Sequence, residues 1–165
     1  MDDFTCTCIL RIAPDLPKMV IESDDIKQML VPIVDNAVYY MKITAQTHSN
    51  IQCKINNLQG QKKSTPEETE RLQELIVERD QLKRDVHQLM IAIQSTGDYL
   101  SINVADTGTG ITDQPSSSEG TGLAVKSARS KLKRIGGDLL LANKPIDEGR
   151  GAIATIKIPL YKEPE

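Results

Sequence analysis

A chain of 165 residues is long enough to build one domain with its own core. Its 20 Lys and Arg against 23 Asp and Glu leave a formal charge of −3, which excludes a basic excess and argues against a nucleic-acid surface. No apolar run approaches membrane-spanning length and no secretory leader opens the sequence, so the segment is expected in the cytoplasm and away from the bilayer, with any membrane anchor of the parent protein lying outside it.

In chain order, Phe4 to Ile12 reads as a strand. Cys6 and Cys8, two apart, point to one face of it and are expected to fill the core. With Cys53 they form neither a disulfide framework nor a metal motif. Ala13 to Pro17 makes a turn and Met19 to Ile21 a short apolar strand. Ser23 offers an N-cap, followed by Asp24 and Asp25 in the first helical turn, where the dipole favours acids. The helix that follows carries Ile26, Leu30, Ile33, Val34, Ala37, Val38 and Met41 on its apolar side, and Asn36 on its polar side. Pro32 within it removes a backbone bond and predicts a kink.

Residues 42 to 88 predict an insertion. Thr65-Pro66-Glu67-Glu68 is a helix start, with Thr as cap, Pro at the first position and Glu three residues after the cap. The helix beyond it bears Leu72, Leu75, Ile76, Leu82, Val86 and Leu89 near heptad spacing. Ile51, Ile55 and Leu58 carry a similar stripe before the polar turn Gly60 to Ser64. The pattern predicts an antiparallel helical hairpin, each arm about 30 Å long, that prolongs the Asn36 helix outward. A strand alternating Ile51, Cys53 and Ile55 is the competing reading of that short run. Such a hairpin suits a docking arm or a dimerisation element; charge-laced heptads also occur as inert, solvated insertions.

Leu89 to Gln94 and Tyr99 to Ala105 form a strand pair around a turn at Thr96-Gly97-Asp98. The second strand runs into Asp106-Thr107-Gly108-Thr109-Gly110-Ile111, a loop that only glycine permits. Asp-Gly pairs also end strands in ordinary turns. An ionised carboxylate, however, only accepts hydrogen bonds, and the exocyclic amino group of adenine only donates them, so Asp106 is a candidate adenine reader. Thr112 to Glu119, serine-rich with nothing to bury, reads as a short lid. Gly120-Thr121-Gly122-Leu123 then turns into an amphipathic helix with Leu123, Ser127, Ala128 and Leu132 on one side, and its backbone amides and helix dipole suit a phosphate. In such company Asn36 is a candidate magnesium ligand. Gly136 caps that helix, and Leu139 to Ala142 and Ala152 to Leu160 supply the last strands.

The three stretches, in this order, resemble the ATP-binding catalytic domain of sensor histidine kinases, a branch of the superfamily shared with DNA gyrase, Hsp90 and MutL. Asn36 matches the N box, Asp106, Gly108 and Gly110 the G1 box, Gly120 to Gly122 the G2 box, and Glu148 to Ala152 the closing Gly-x-Gly turn. Pro32, the short lid and the Lys131-Leu132 spacing are similar to the LytS-like and NarX-like subgroups. The resemblance spans Phe4 to Leu160 apart from the insertion. It implies an α/β fold, a two-layer sandwich with helices on one face of a mixed sheet and the hairpin protruding from it. It implies ATP and magnesium as ligands: Asn36 as the catalytic metal ligand, with Tyr40, Asp106, Gly108, Gly110, Ile111, Gly120, Thr121, Gly122 and Leu123 lining the nucleotide site. It also implies a protein histidine kinase in two-component signalling, whose partners are a dimerisation and phosphoacceptor domain and, downstream, a response regulator. A homodimer, through the parent kinase or the hairpin, belongs to the same picture.

Related ATP hydrolases place a water-activating carboxylate where Pro32 stands, four residues before the Asn. A proline there suits transfer to a protein acceptor better than hydrolysis. Three positions depart from the family pattern: Tyr39 replaces a phosphate-reaching base, Ala124 a G2 glycine, and Ala152 a hydroxyl residue that supports the adenine Asp. Histidine kinases keep the phosphoacceptor in a separate dimerisation helix pair beside an acidic residue, whereas His48 sits among Thr, Ser and Asn and His87 lies in the middle of the insertion arm; both are expected as surface histidines, with the acceptor on another domain. Two rival readings keep the fold: an anti-sigma-type Ser/Thr kinase, and a non-catalytic signalling module that binds partners through the hairpin.

Overall fold

The computed structural model describes residues 4–19, 21–60, 65–83, 87–111 and 123–160, with the side chains of 82, 83, 123, 124 and 146 left out of the description. Five strands form one sheet: β1 (Thr7–Ile12), β2 (Gln88–Thr96), β3 (Tyr99–Ala105), β4 (Asp138–Asn143) and β5 (Ala152–Pro159). Their order across it is β1-β2-β3-β5-β4. β1 runs parallel to β2, and every other neighbouring pair is antiparallel. A parallel pair needs a long crossover; here it consists of helices α1 (Ser23–Gln59) and α2 (Pro66–Lys83). A third helix, α3 (Leu123–Arg134), links β3 to β4.

Strand alternation decides which face is covered. Leu100, Ile102 and Val104 of β3 stand opposite Ile158, Ile156 and Ala154 of β5, and Leu139 of β4 opposite Ile156. All are buried in one core with Met29, Ile33, Ala37 and Met41 of α1 and Ala128 and Leu132 of α3. The other face carries Asn103 and Thr155, joined by a 2.8 Å bond between their side chains. One covered face gives a two-layer α/β sandwich, the fold class expected from the sequence.

Helix α1 buries its residues at steps of four, from Met29 to Met41, while Ile26, Leu30, Val34 and Val38 are only half-buried flanks. Met29, absent from the predicted stripe, sits at its centre. The helix takes in Ser23, so the cap falls one residue earlier, on Glu22, and through its backbone: the Asp25 and Ile26 amides donate to the Glu22 carbonyl. It also runs on through Pro32. The expected strand at Met19 to Ile21 does not form at Met19 or Ile21, and Val20 lies outside the described residues. Both described side chains instead tuck half-buried against the core, which saturates their apolar surface without a paired edge.

Beyond Met41, α1 continues as one arm of a hairpin against α2, and the two share a second core of Ile51, Ile55 and Leu75 flanked by Leu58, Leu72 and Ile76. Cys53 is exposed between the buried isoleucines, as a helix demands, since residues two apart lie on opposite sides of it. This decides the Ile51 to Ile55 run as helix. Thr65 and Glu68 form a reciprocal cap: the Thr65 amide donates to Glu68 Oε2 at 2.9 Å and the Glu68 amide to Thr65 Oγ1 at 3.3 Å. The 18 residues of α2 give an arm of about 27 Å. Leu82 and Val86, also predicted on the seam, lie outside the described side chains.

Candidate functional site

β3 delivers Asp106 at its end. The Asp106 amide donates to the Ala152 carbonyl at 3.0 Å, carrying the β3–β5 ladder one step past the strand. The side chain is only 6% exposed. Its Oδ1 accepts from the Gly108 amide at 2.8 Å and, at a longer 3.3 Å, from the Ala152 amide. Among the described residues no hydrogen bond reaches Oδ2. One oxygen is thus spent on fixing the carboxylate and the other is available to a ligand donor. Burial raises the Asp106 pKa above its ordinary value, while the two amides and the Lys144 charge pull it down.

Glycines make this geometry possible. Gly151 has φ +126°, and a Cβ on it would fall inside the Asp106 carbonyl. Gly110 has φ +78°, and a Cβ there would meet Asn143 Oδ1 at 2.7 Å. The Asp106–Ile111 loop lies over α1: Thr107 Oγ1 is 3.7 Å from Met41 Sδ, and the space beside Gly108 is closed by Tyr40. Asn36 is half-buried on the same helix, one turn before Tyr40, and residues four apart share a helix face. The Asn36 helix and the Asp106 loop are therefore neighbours, although the second hairpin arm and strands β2 and β3 come between them in sequence.

Of the other predicted site residues, Ile111 is 46% exposed at the far end of the loop. Gly120, Thr121 and Gly122 lie outside the described residues, as does the predicted lid from Thr112 to Glu119. Leu123 opens α3, so the positive end of the helix dipole lies there, and three basic residues, Lys131, Lys133 and Arg134, occupy the last turn at its negative end. Asn143 is a residue the sequence did not single out. It closes β4, where an Asn looks like any strand end, and no local pattern ties it to Ile111. The family departures have visible consequences in part: Ala152 supports Asp106 through its backbone amide and carbonyl, and Tyr39 makes an edge-on ring contact with Tyr40, centroids 5.5 Å apart.

Cys6 is half-buried, its Sγ 4.0 Å from Met41 Sδ, and burial raises its pKa; Cys8 and Cys53 are exposed, so Cys8 does not fill the core as expected. β1 is an edge strand, and α1 covers Cys6, just before it, but leaves Leu10 and Ile12 more than half exposed. The histidines also differ from the expected surface placement. His48 is half-buried with its Nε2 shielded, and the His87 ring packs on Phe4 at 5.2 Å between centroids, at the foot of β2 rather than within an arm of the hairpin.

Residues 21–162 match the family model described as histidine kinase-, DNA gyrase B-, and HSP90-like ATPase. The chain belongs to this ATPase family. Within it, sensor histidine kinase RcsC from Salmonella typhimurium and from Escherichia coli are each 30% identical over 93 residues, covering 47% of this chain. The matched region is 10% of each RcsC, so this ATPase domain spans a small part of those relatives' length. Its fold is that of the mycobacterial sensor histidine kinase MprB, with a TM-score of 0.57 at 13% identity over 96% of this chain and 86% of that one. The catalytic domain of histidine kinase ThkA, nucleotide-free, gives 0.56 at 14% identity over 94% and 78%. As a member of this ATPase family, the chain is an ATP-binding domain. No helix of the described residues is long and apolar enough to cross a membrane.

Proposed function

We propose that this domain is the catalytic part of a sensor histidine kinase, transferring the γ-phosphoryl group of Mg-ATP to a histidine on a separate dimerisation domain, from which a response regulator is then phosphorylated. The observation that carries the reading is the buried Asp106 carboxylate, held through one oxygen by two backbone amides, on a loop packed against the helix that bears Asn36. In this reading Asp106 accepts from the adenine amino group, with Gly108, Gly110, Ile111 and Tyr40 around the base. The Gly120–Gly122 amides and the start of α3 at Leu123 cradle the phosphates.

Asn36 holds magnesium. Its amide oxygen is a hard donor, and magnesium, which keeps several waters and phosphate oxygens, needs few ligands from the protein. The bound ion would neutralise phosphate charge. The chain's own contribution is to position nucleotide and acceptor, which is most of what phosphoryl transfer asks of a protein. Residues 42–88 form an insertion within this single domain, and the domain works in the cytoplasm.

Titration with a fluorescent ATP analogue, with and without magnesium, tests this reading. Saturable binding that tightens with magnesium, and an acid-labile phosphoryl group on a histidine-bearing dimerisation domain, are the expected results. No saturable binding at millimolar nucleotide would instead favour a non-catalytic module, the rival that Tyr39, Ala124 and Ala152 suggest.

A further inference from the structure

The loop that carries Asp106 is fastened at both ends. At its start, Asp106 is bonded to Ala152 and backed by Gly151. At its other end, the Asn143 side chain grips one residue in both directions: the Ile111 amide donates to Asn143 Oδ1 at 2.5 Å, and Asn143 Nδ2 donates to the Ile111 carbonyl at 3.1 Å. An amide side chain here imitates a strand, offering one acceptor and one donor to the two polar groups of a single backbone residue. The left-handed Gly110 sits between, and its missing Cβ is what lets the Asn143 oxygen approach. Asn143 itself is in ladder register with Ala152, and the next amide, Lys144, donates to the Gly151 carbonyl at 2.9 Å. Both fastenings of the loop thus come from one rigid piece, the β4–β5 pair.

We infer that Asn143 is a positioning residue for the nucleotide, a latch that holds the Gly108–Ile111 segment at the distance from Asp106 that the purine requires. This rests on the nucleotide-binding reading above. Without the latch the segment is held only at its start, through Asp106, the Gln88 amide on Thr107 and the contact of Gly108 with Tyr40, and Ile111, exposed and five residues on, has no other hydrogen bond to the sheet among the described residues. A ligand would then have to order the segment as it binds, which weakens affinity without altering the chemistry of transfer.

Three measurements on the whole chain test this. Asn143→Ala is expected to speed amide exchange at Ile111 while the Ile102 and Val104 amides stay as protected as in the wild type. It should weaken binding of fluorescent ADP and ATP analogues by the same factor, about tenfold for two lost hydrogen bonds, and, with a histidine-bearing dimerisation domain supplied as acceptor, raise KM for ATP with kcat unchanged. Asn143→Asp, which keeps the acceptor for the Ile111 amide and loses the donor, should recover part of the affinity. Unchanged Ile111 exchange, or unchanged affinity in Asn143→Ala, would overturn the latch while leaving the kinase reading intact. A wild-type chain that binds neither nucleotide would overturn both. Faster exchange throughout the sheet would mark Asn143 as a fold-stabilising residue only, and would also overturn the latch.

Discussion

Gly108 touches the backbone of Tyr40 so closely that a Cβ placed on it would lie 3.1 Å from both the Tyr40 carbonyl carbon and its Cβ, and 3.0 Å from Asp106 Oδ1. The Asp106 loop and the Asn36 helix are held together by the absence of a side chain. Gly108→Ala is therefore expected to push the loop off the helix. Neither neighbour yields easily, one being helix backbone and the other a carboxylate pinned by two amides, so a loss of about 1–3 kcal/mol of stability is expected, as for overpacking a core. Weaker ATP-analogue binding should accompany it. Thermal unfolding and titration check both, and an unchanged binding constant would dissociate the contact from the site.

Asp106 should impose a pH dependence on binding and on stability. Burial keeps its proton on to a higher pH than in the unfolded chain. Between the ordinary carboxylate pKa and that raised one, the folded state binds more protons than the unfolded, so the Asp106 contribution to stability falls as pH rises through this window. Nucleotide affinity moves the opposite way, because protonation converts an acceptor oxygen into a donor facing another donor. Asp106→Asn should remove that stretch of the pH–stability curve, leave the fold no less stable at neutral pH, and abolish binding. Retained adenine binding in this variant would show that the carboxylate does not read the base.

Two left-handed glycines separate conformational cost from collision. Gly97 has φ +60° with nothing within 4 Å of a prospective Cβ, whereas at Gly151, φ +126°, the Asp106 backbone occupies that place. Gly97→Ala should cost about 1–2 kcal/mol, the penalty of a left-handed L-residue. Gly151→Ala should cost considerably more and abolish nucleotide binding with it. Denaturant unfolding of the two variants compares them, and equal losses would mean that the β5 turn relaxes freely.

The hairpin and the sandwich have separate cores, and a matched pair of truncations should tell them apart. Ile55, 1% exposed, belongs to the α1–α2 seam, and Leu132, 0% exposed, to the core under the sheet. Each loses about 2–5 kcal/mol on truncation to Ala. For Ile55→Ala the loss should appear as faster exchange and proteolysis in α2, with ATP-analogue affinity kept; for Leu132→Ala it should appear as a lower melting temperature of the whole domain. Loss of nucleotide binding in Ile55→Ala would show that the hairpin and the site are coupled through α1.

Legibility followed the range of the interactions. The two arms of the hairpin, the Thr65–Glu68 cap and the β2–β3 turn at Gly97 are local, set by contacts within a few residues, and each could be read from spacing. The strand at Met19 to Ile21 was not, because an apolar triplet is equally content to pack as loop when no sheet edge claims it. Cys8 and the two histidines were misplaced for the same reason: period two or a polar neighbourhood says which side a residue takes, and not how far a covering helix extends over it.

The sequence alone determined which chemistry the chain can bring to a ligand: a carboxylate after a strand, glycines at alternate positions behind it, and an amide on the polar side of a helix, all of them consequences of covalent structure and short-range sterics. Only the folded chain decided that the loop rests on Tyr40, that Ala152 serves Asp106 through its backbone, and that Asn143 clasps Ile111 from another strand. Those contacts join residues far apart along the chain. Their existence depends on sheet order and helix placement, which follow from burying the whole apolar surface at once and are written in no single stretch of it.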